Sequence, residues 1–190
     1  MNPRPLQGAW DDGRVLDRHV SSSEFIGYNE YGHPQFDSTR TEVGEFLYRL
    51  KYRGDQAAVG PIAQAACDFV RSWNPGVDVI VPASPSRNRA VQPLFLIADE
   101  LGRLLGLPVD KTSVRKTKAT PELKNVDYAQ RVELLREAHD LEGDKLRGRR
   151  VLLLDDLYQS GATMNALTHL LKELGGASAV FAFALTKTGN

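Results

Sequence analysis

The side chains with chemical potential are concentrated in one stretch, Val151 to Thr163, which reads VLLLDDLYQSGAT. Four apolar residues run into two adjacent carboxylates, Asp155 and Asp156. A short loop through Gln159, Ser160, Gly161, Ala162 and Thr163 then opens an amphipathic helix. Small residues let a backbone approach a phosphate, whose oxygens accept hydrogen bonds from N–H groups at a helix N-terminus and from hydroxyls. Carboxylates a few residues earlier lie about one sugar away. There they accept from vicinal ribose hydroxyls and can organise a divalent cation through water. The arrangement suits a phosphorylated sugar. Rival chemistries fail on residues: the chain holds no Gly-x-x-x-x-Gly-Lys-Ser/Thr and no Gly-x-Gly-x-x-Gly after a strand, and Leu157 stands where an Asp-x-Asp phosphatase needs a carboxylate.

Composition narrows the rest. The 190 residues carry 24 basic and 24 acidic side chains, a formal charge of +0, so the whole-domain basic footprint of a duplex-DNA or anionic-membrane binder is absent. Nucleic acid contact is then confined to a local patch. A single cysteine, Cys67, rules out an internal disulfide and a zinc site of paired cysteines. No apolar run reaches the roughly 20 residues of a membrane span, and Met1 to Gly8 lacks the apolar core of a signal peptide. A cytoplasmic domain without membrane contact is the expectation.

The motif needs a strand before it and a helix after it, and the flanking sequence supplies a repeating frame for both. Val77 to Ala83, Leu107 to Val114 (a weaker case), Arg150 to Asp155 and Ala179 to Leu185 read as short buried strands. Between them lie helical patterns: Pro93 to Gly106, a segment through Tyr128, Val132 and Leu135 that Asn125 can cap, and about Ala162 to Leu174. Upstream, Val43, Phe46, Leu47 and Leu50 show helical spacing behind a Thr39–Glu42 capping box, and Pro61 can sit in the first turn of a second helix. Four such strands separated by helices imply an α/β fold with a parallel sheet flanked by helices, its ligands beyond the carboxyl ends of the strands. The first forty residues differ. Val15 to His19, Glu24 to Tyr28 and Gln35 to Asp37, with turn chemistry at Asn29 to Gly32, predict an N-terminal β-hairpin extension over residues 1–40, ahead of a single globular unit over 41–190.

VLLLDDLYQSGAT resembles the phosphoribosyl pyrophosphate (PRPP) signature of type I phosphoribosyltransferases, departing from it at Gln159, where a hydroxyl residue is usual. Phe46 to Gly54 (FLYRLKYRG), Val81-Pro82 followed by Arg87 and Arg89, and Arg115 to Leu135 with Arg131 inside it resemble the ComF-like, amidophosphoribosyltransferase-like branch. The likeness covers about residues 41 to 187. The paired-cysteine zinc module that often precedes this domain is missing, and Asn88 to Gln92 replaces the branch's usual Arg-Gly-Phe-Asn-Gln.

The resemblance implies transfer of ribose 5-phosphate from PRPP to a nitrogen acceptor, with Mg²⁺ bridging pyrophosphate and ribose hydroxyls. It implies that Asp155 and Asp156 hold the ribose and that Gln159 to Thr163 hold the 5-phosphate. Ser84, Ser86 and Arg87 would meet pyrophosphate, where the bland alternative is a polar loop capping the next helix. Arg115 and Lys116 belong to a basic run that would close over the leaving group, against the alternative of a solvated charged loop. Lys187, after the last strand, would reach a base, as a lysine there does in purine enzymes. Binding of PRPP or a 5′-mononucleotide and a possible homodimer follow from the same likeness. The competing reading is a non-catalytic ComF-type nucleotide-binding protein serving DNA uptake or regulation.

Overall fold

A computed structural model describes residues 1–85, 90–120, 123 and 126–189. In chain order the elements are β1 (Arg4–Pro5), β2 (Asp12–Arg18), β3 (Val20–Tyr28), β4 (Pro34–Arg40), α1 (Glu42–Arg53), a 3₁₀ turn (Gln56–Ala58), α2 (Val59–Trp73), β5 (Val79–Pro82), α3 (Pro93–Leu105), β6 (Val114–Lys116), α4 (Tyr128–Glu137), β7 (His139–Leu141), β8 (Arg150–Tyr158), α5 (Ala162–Glu173) and β9 (Ala179–Lys187).

The central sheet has the order β1-β2-β9-β8-β5. β2, β9, β8 and β5 run parallel, and only the two-residue β1 is antiparallel to its neighbour. The α/β class and the parallel sheet expected from the sequence are both present. β8 lies inside the sheet because its Val and Leu residues are apolar on both faces. Val151 and Leu153 pack with Met164, Leu167 and Leu171 of α5. Leu152 and Leu154 face the opposite layer, where Leu47 of α1, Ile62 of α2 and Ile97 of α3 are buried. Two helical layers thus cover the two sheet faces, with Cys67 in the α2 core.

Several local expectations hold and others shift. Pro93 starts α3 and Gly106 ends it. The α1 cap is Thr41, whose hydroxyl accepts from the Gly44 N–H, and not Thr39. Asn125 lies outside the described residues, and Asp127 caps α4 by accepting from the Gln130 N–H. The strand expected over Leu107 to Val114 shrinks to a single bridge between Val109 and Ile80. Pro108 has no N–H for a ladder. Beyond it the Asp110 carboxylate accepts from the N–H groups of Thr112 and Ser113, which turns the chain off the sheet edge.

The N-terminal segment divides in two. β3 and β4 form the expected antiparallel hairpin, its turn held by the Asn29 carboxamide accepting from the N–H groups of Tyr31 and His33. The residues just before it do not join the hairpin: β2 pairs parallel with β9 and extends the central sheet. Its buried residues Val15 and Leu16 pack into opposite faces, as a sheet strand's must.

Candidate functional site

β8 continues three residues beyond the expected end at Asp155. Asp155, Leu157 and Tyr158 stay in register with Ala184, Thr186 and Lys187 of β9. Both carboxylates therefore sit on extended backbone, and the strand's alternation sends them to opposite layers. Asp155 follows Val151 and Leu153 toward α5, while Asp156 follows Leu152 and Leu154 toward α1. The Lys51 ammonium on α1 lies 2.7 Å from the Asp156 carboxylate.

At Asp155 the same ammonium is only a lesser influence. Burial and then the neighbouring Asp156 charge push its carboxyl up to about 7. The Asp156 carbonyl accepts from the Thr186 hydroxyl at 2.9 Å, and His19 Nδ1 stands 3.2 Å from that hydroxyl. Burial, with the Lys51 and Arg40 charges behind it, holds His19 below the usual imidazole range.

After Tyr158 the chain turns through Gln159 and Ser160 to Gly161, the residue before α5, at φ +79°. A β-carbon on Gly161 would lie 2.6 Å from the Tyr158 hydroxyl, so both conformation and space call for glycine. Gly161 offers the start of α5 no side-chain cap, and the Ala162 N–H reaches the Ser160 hydroxyl only at 3.5 Å, so the first N–H groups can turn to an anion. The buried Asn165 fixes this turn. Its amide donates to the Tyr128 hydroxyl at 2.6 Å and to the Gly161 carbonyl at 3.0 Å, and its oxygen accepts from the Ala9 N–H.

A cavity of about 400 Å³ opens over the turn, walled by Asp155, the loop from Gln159 to Thr163, and Arg131 of α4. Arg131 donates to the Val126 carbonyl at 2.9 Å and reaches the Ser160 hydroxyl at 3.5 Å. Its Nε is buried without a partner among the described residues, a donor that an anion over the loop can satisfy. A second cavity of about 290 Å³ adjoins the first through Asp155, Leu157 and Thr163, and adds Asp156, Lys51 and Ser84. Ser84 also borders an open trough of about 670 Å³ that carries Lys111, Arg115, Lys116 and Lys118. Carboxylates, loop and basic run thus line one connected series of hollows at the carboxyl end of the parallel sheet.

A family model, the phosphoribosyl transferase domain, matches residues 74–189. The chain belongs to the phosphoribosyltransferase family. Within that family it is ComF-like: the competence protein ComFC of Bacillus subtilis is 27% identical over 188 residues, which span 98% of this chain and 75% of ComFC. Solved structures to which the chain is similar include adenine phosphoribosyltransferase from Thermoanaerobacter pseudethanolicus, at 19% identity and TM-score 0.48 over 87% of this chain and 95% of the other. UMP synthase from Leishmania donovani is 15% identical at TM-score 0.45, over 87% of this chain and 28% of that enzyme.

For this phosphoribosyltransferase-family chain, the structure brings together Asp155, Asp156, Ser84 and the loop from Gln159 to Thr163. Ser86 and Arg87 lie outside the described residues. Arg115 and Lys116 are held in a two-stranded ladder between β6 and β7, where the resemblance implied a basic run closing over the leaving group. Arg115 is 59% exposed and paired with Glu142 at 2.8 Å, and Lys116 donates to the Thr120 hydroxyl at 3.1 Å. Lys187 borders a separate small cleft with Asp17 and Arg18, not the three hollows above.

Sequence reasoning missed Lys51, Asn165 and the placement of Arg131. Lys51 carried a signal: it falls four residues after Leu47, so a charge is set beside the apolar face of α1. Asn165 carried one as well, a carboxamide among the mostly apolar buried residues of α5.

Proposed function

We propose that this protein binds PRPP with Mg²⁺ and transfers ribose 5-phosphate to a nitrogen acceptor, a base or an amine. The carrying observation is the loop from Ser160 to Thr163 at the Gly161-led start of α5, facing Arg131 across a cavity that Asp155 also walls. In this reading the 5-phosphate takes the first N–H groups of α5 and the fork of Arg131. Asp155 and Asp156 accept from the ribose hydroxyls at the junction of the first two cavities. Pyrophosphate points past Ser84 toward the trough of Arg115 and Lys116. The bond from C1 to pyrophosphate breaks, a bond from C1 to the acceptor nitrogen forms, and that nitrogen gives up a proton. The site contributes by positioning the ends of PRPP and by neutralising charge on the departing pyrophosphate.

Mg²⁺ would be held chiefly by oxygens of PRPP. Two carboxylates of opposite orientation, with no cluster of three His, Cys, Asp or Glu side chains among the described residues, suit a cation that arrives with its ligand. Bound there, it would lower the charge on the leaving group.

Calorimetric titration with PRPP in the presence and absence of Mg²⁺ tests the reading. Saturable, Mg²⁺-dependent binding and a rise in melting temperature are expected, while no binding at millimolar PRPP sinks it. A second reading is a non-catalytic nucleotide binder of ComF type acting in DNA uptake or regulation. It is favoured by the fastening of Arg115 to Glu142, which takes that guanidinium up on the protein's own surface. PRPP binding without pyrophosphate release, over a panel of bases and ammonia, would select it.

A further inference from the structure

Lys51 and Asp156 come from parts of the chain far apart in sequence, yet they meet as an ion pair in the carboxylate cavity. Nζ lies 2.7 Å from Oδ2, and the side chains are only 23% and 19% exposed. The placement is firmly supported. The Thr41 hydroxyl donates to the Arg18 carbonyl at 2.6 Å, tying the start of α1 to the end of β2. Gly44 lies so close to the His19 carbonyl that a β-carbon would stand 2.1 Å from it. On the strand side, the Thr186 hydroxyl donates to the Asp156 carbonyl. Helix and strand are therefore each secured beside the pair, and a half-buried pair of this geometry keeps its carboxylate turned toward the ammonium.

We propose that Lys51 is a positioning residue for Asp156. It fixes the direction of that carboxylate and balances its charge beside Asp155, so that Asp156 presents an anionic oxygen to a ribose hydroxyl. The inference rests on the phosphoribosyl reading above. Selectivity for the ribose diol then depends on a helix outside the motif that carries the carboxylates. Without the ammonium, two adjacent carboxylates share one cavity unbalanced and Asp156 is free to turn.

The test compares affinities for ribose 5-phosphate and its 2-deoxy and 3-deoxy counterparts by calorimetry. Wild-type protein is expected to prefer ribose 5-phosphate over at least one deoxy sugar by about tenfold, the scale of one charge-assisted hydrogen bond. Lys51→Met should shrink that preference to within about twofold and leave inorganic phosphate binding at the α5 loop unchanged, and Lys51→Arg should restore it. If Lys51→Met fails to fold, Lys51→Gln takes its place. A preference that survives loss of the ammonium overturns the inference, and so does an equal loss for all three sugars and inorganic phosphate, which is the mark of a merely structural role. A wild-type protein that does not distinguish the sugars would instead remove the ribose reading itself.

Discussion

β3 and β8 are both nine residues long, and they have opposite lives. β8 has a parallel neighbour on each side and a helical layer on each face, with Val151 through Leu154 entirely buried. β3 pairs only with β4, and its hairpin leaves Phe25, Ile26, Tyr28 and Phe36 more than half exposed. Phe25 makes edge-on contacts with Tyr28 and Phe36, so the hairpin's apolar contacts are largely its own. A two-stranded ribbon stabilises itself weakly, whereas a strand wedged between two layers can hold a side chain to a fraction of an ångström. The chemistry sits on β8 for that reason.

Cutting into β8 should have the largest effect. Leu153→Ala removes a fully buried side chain between the sheet and α5 and is expected to cost about 2–5 kcal/mol, read by urea denaturation. A cost under about 1 kcal/mol would mean that the platform is far softer than its packing implies.

Gly161→Val comes next. The residue is buried, its φ is positive and the Tyr158 ring blocks a β-carbon, so the loop cannot take the change as a freely exposed loop would. A loss of about 1–3 kcal/mol in stability is expected together with loss of 5′-phosphate ligands, measured by melting curves and calorimetry. Full stability with intact binding would place the phosphate elsewhere.

A pH-dependent effect is expected at Asp155. Its pKa in the folded protein, about 7, lies above the ordinary carboxylate value near 3.8, so the folded form holds its proton more tightly. That contribution to stability is complete below about pH 4 and is lost as pH rises through about 7. Asp155→Asn should therefore melt higher than wild type above about pH 7, with the gap narrowing as pH falls and closing near about pH 4. A gap that does not change with pH would show that the carboxyl titrates normally.

The smallest effect belongs to the hairpin. Phe25→Ala is expected to change stability by no more than about 0.5 kcal/mol, because the ring is already half in water. A change of about 2 kcal/mol or more would show that β3 and β4 are a structural part of the body, and would erase the contrast with β8.

How far the sequence could be read follows the same division. Contiguous features were legible: the motif from Val151 to Thr163, the Pro93 start and Gly106 stop of α3, and the Asn29 turn of the hairpin each depend on residues within a few positions of one another. The misreading at the N-terminus concerns a partner far away along the chain. Val15 to Arg18 has the same composition whether it pairs in a hairpin or parallel to β9, and only burial of Val15 and Leu16 on opposite faces decides between them. Leu107 to Val114 is apolar enough for a strand, but Pro108 and the Asp110 turn take it off the sheet.

The sequence by itself determined that a short strand of Val and Leu delivers two carboxylates and a glycine turn to the start of a helix, because hydrophobic period and turn chemistry are local. Tertiary structure alone decided that the carboxylates point to different layers, one toward α5 and the other toward α1. It alone brought Arg131 over the loop and Lys51 onto Asp156. The reason is physical: a strand's alternation sets which way each side chain points, and only the packing of the layers sets what it meets there.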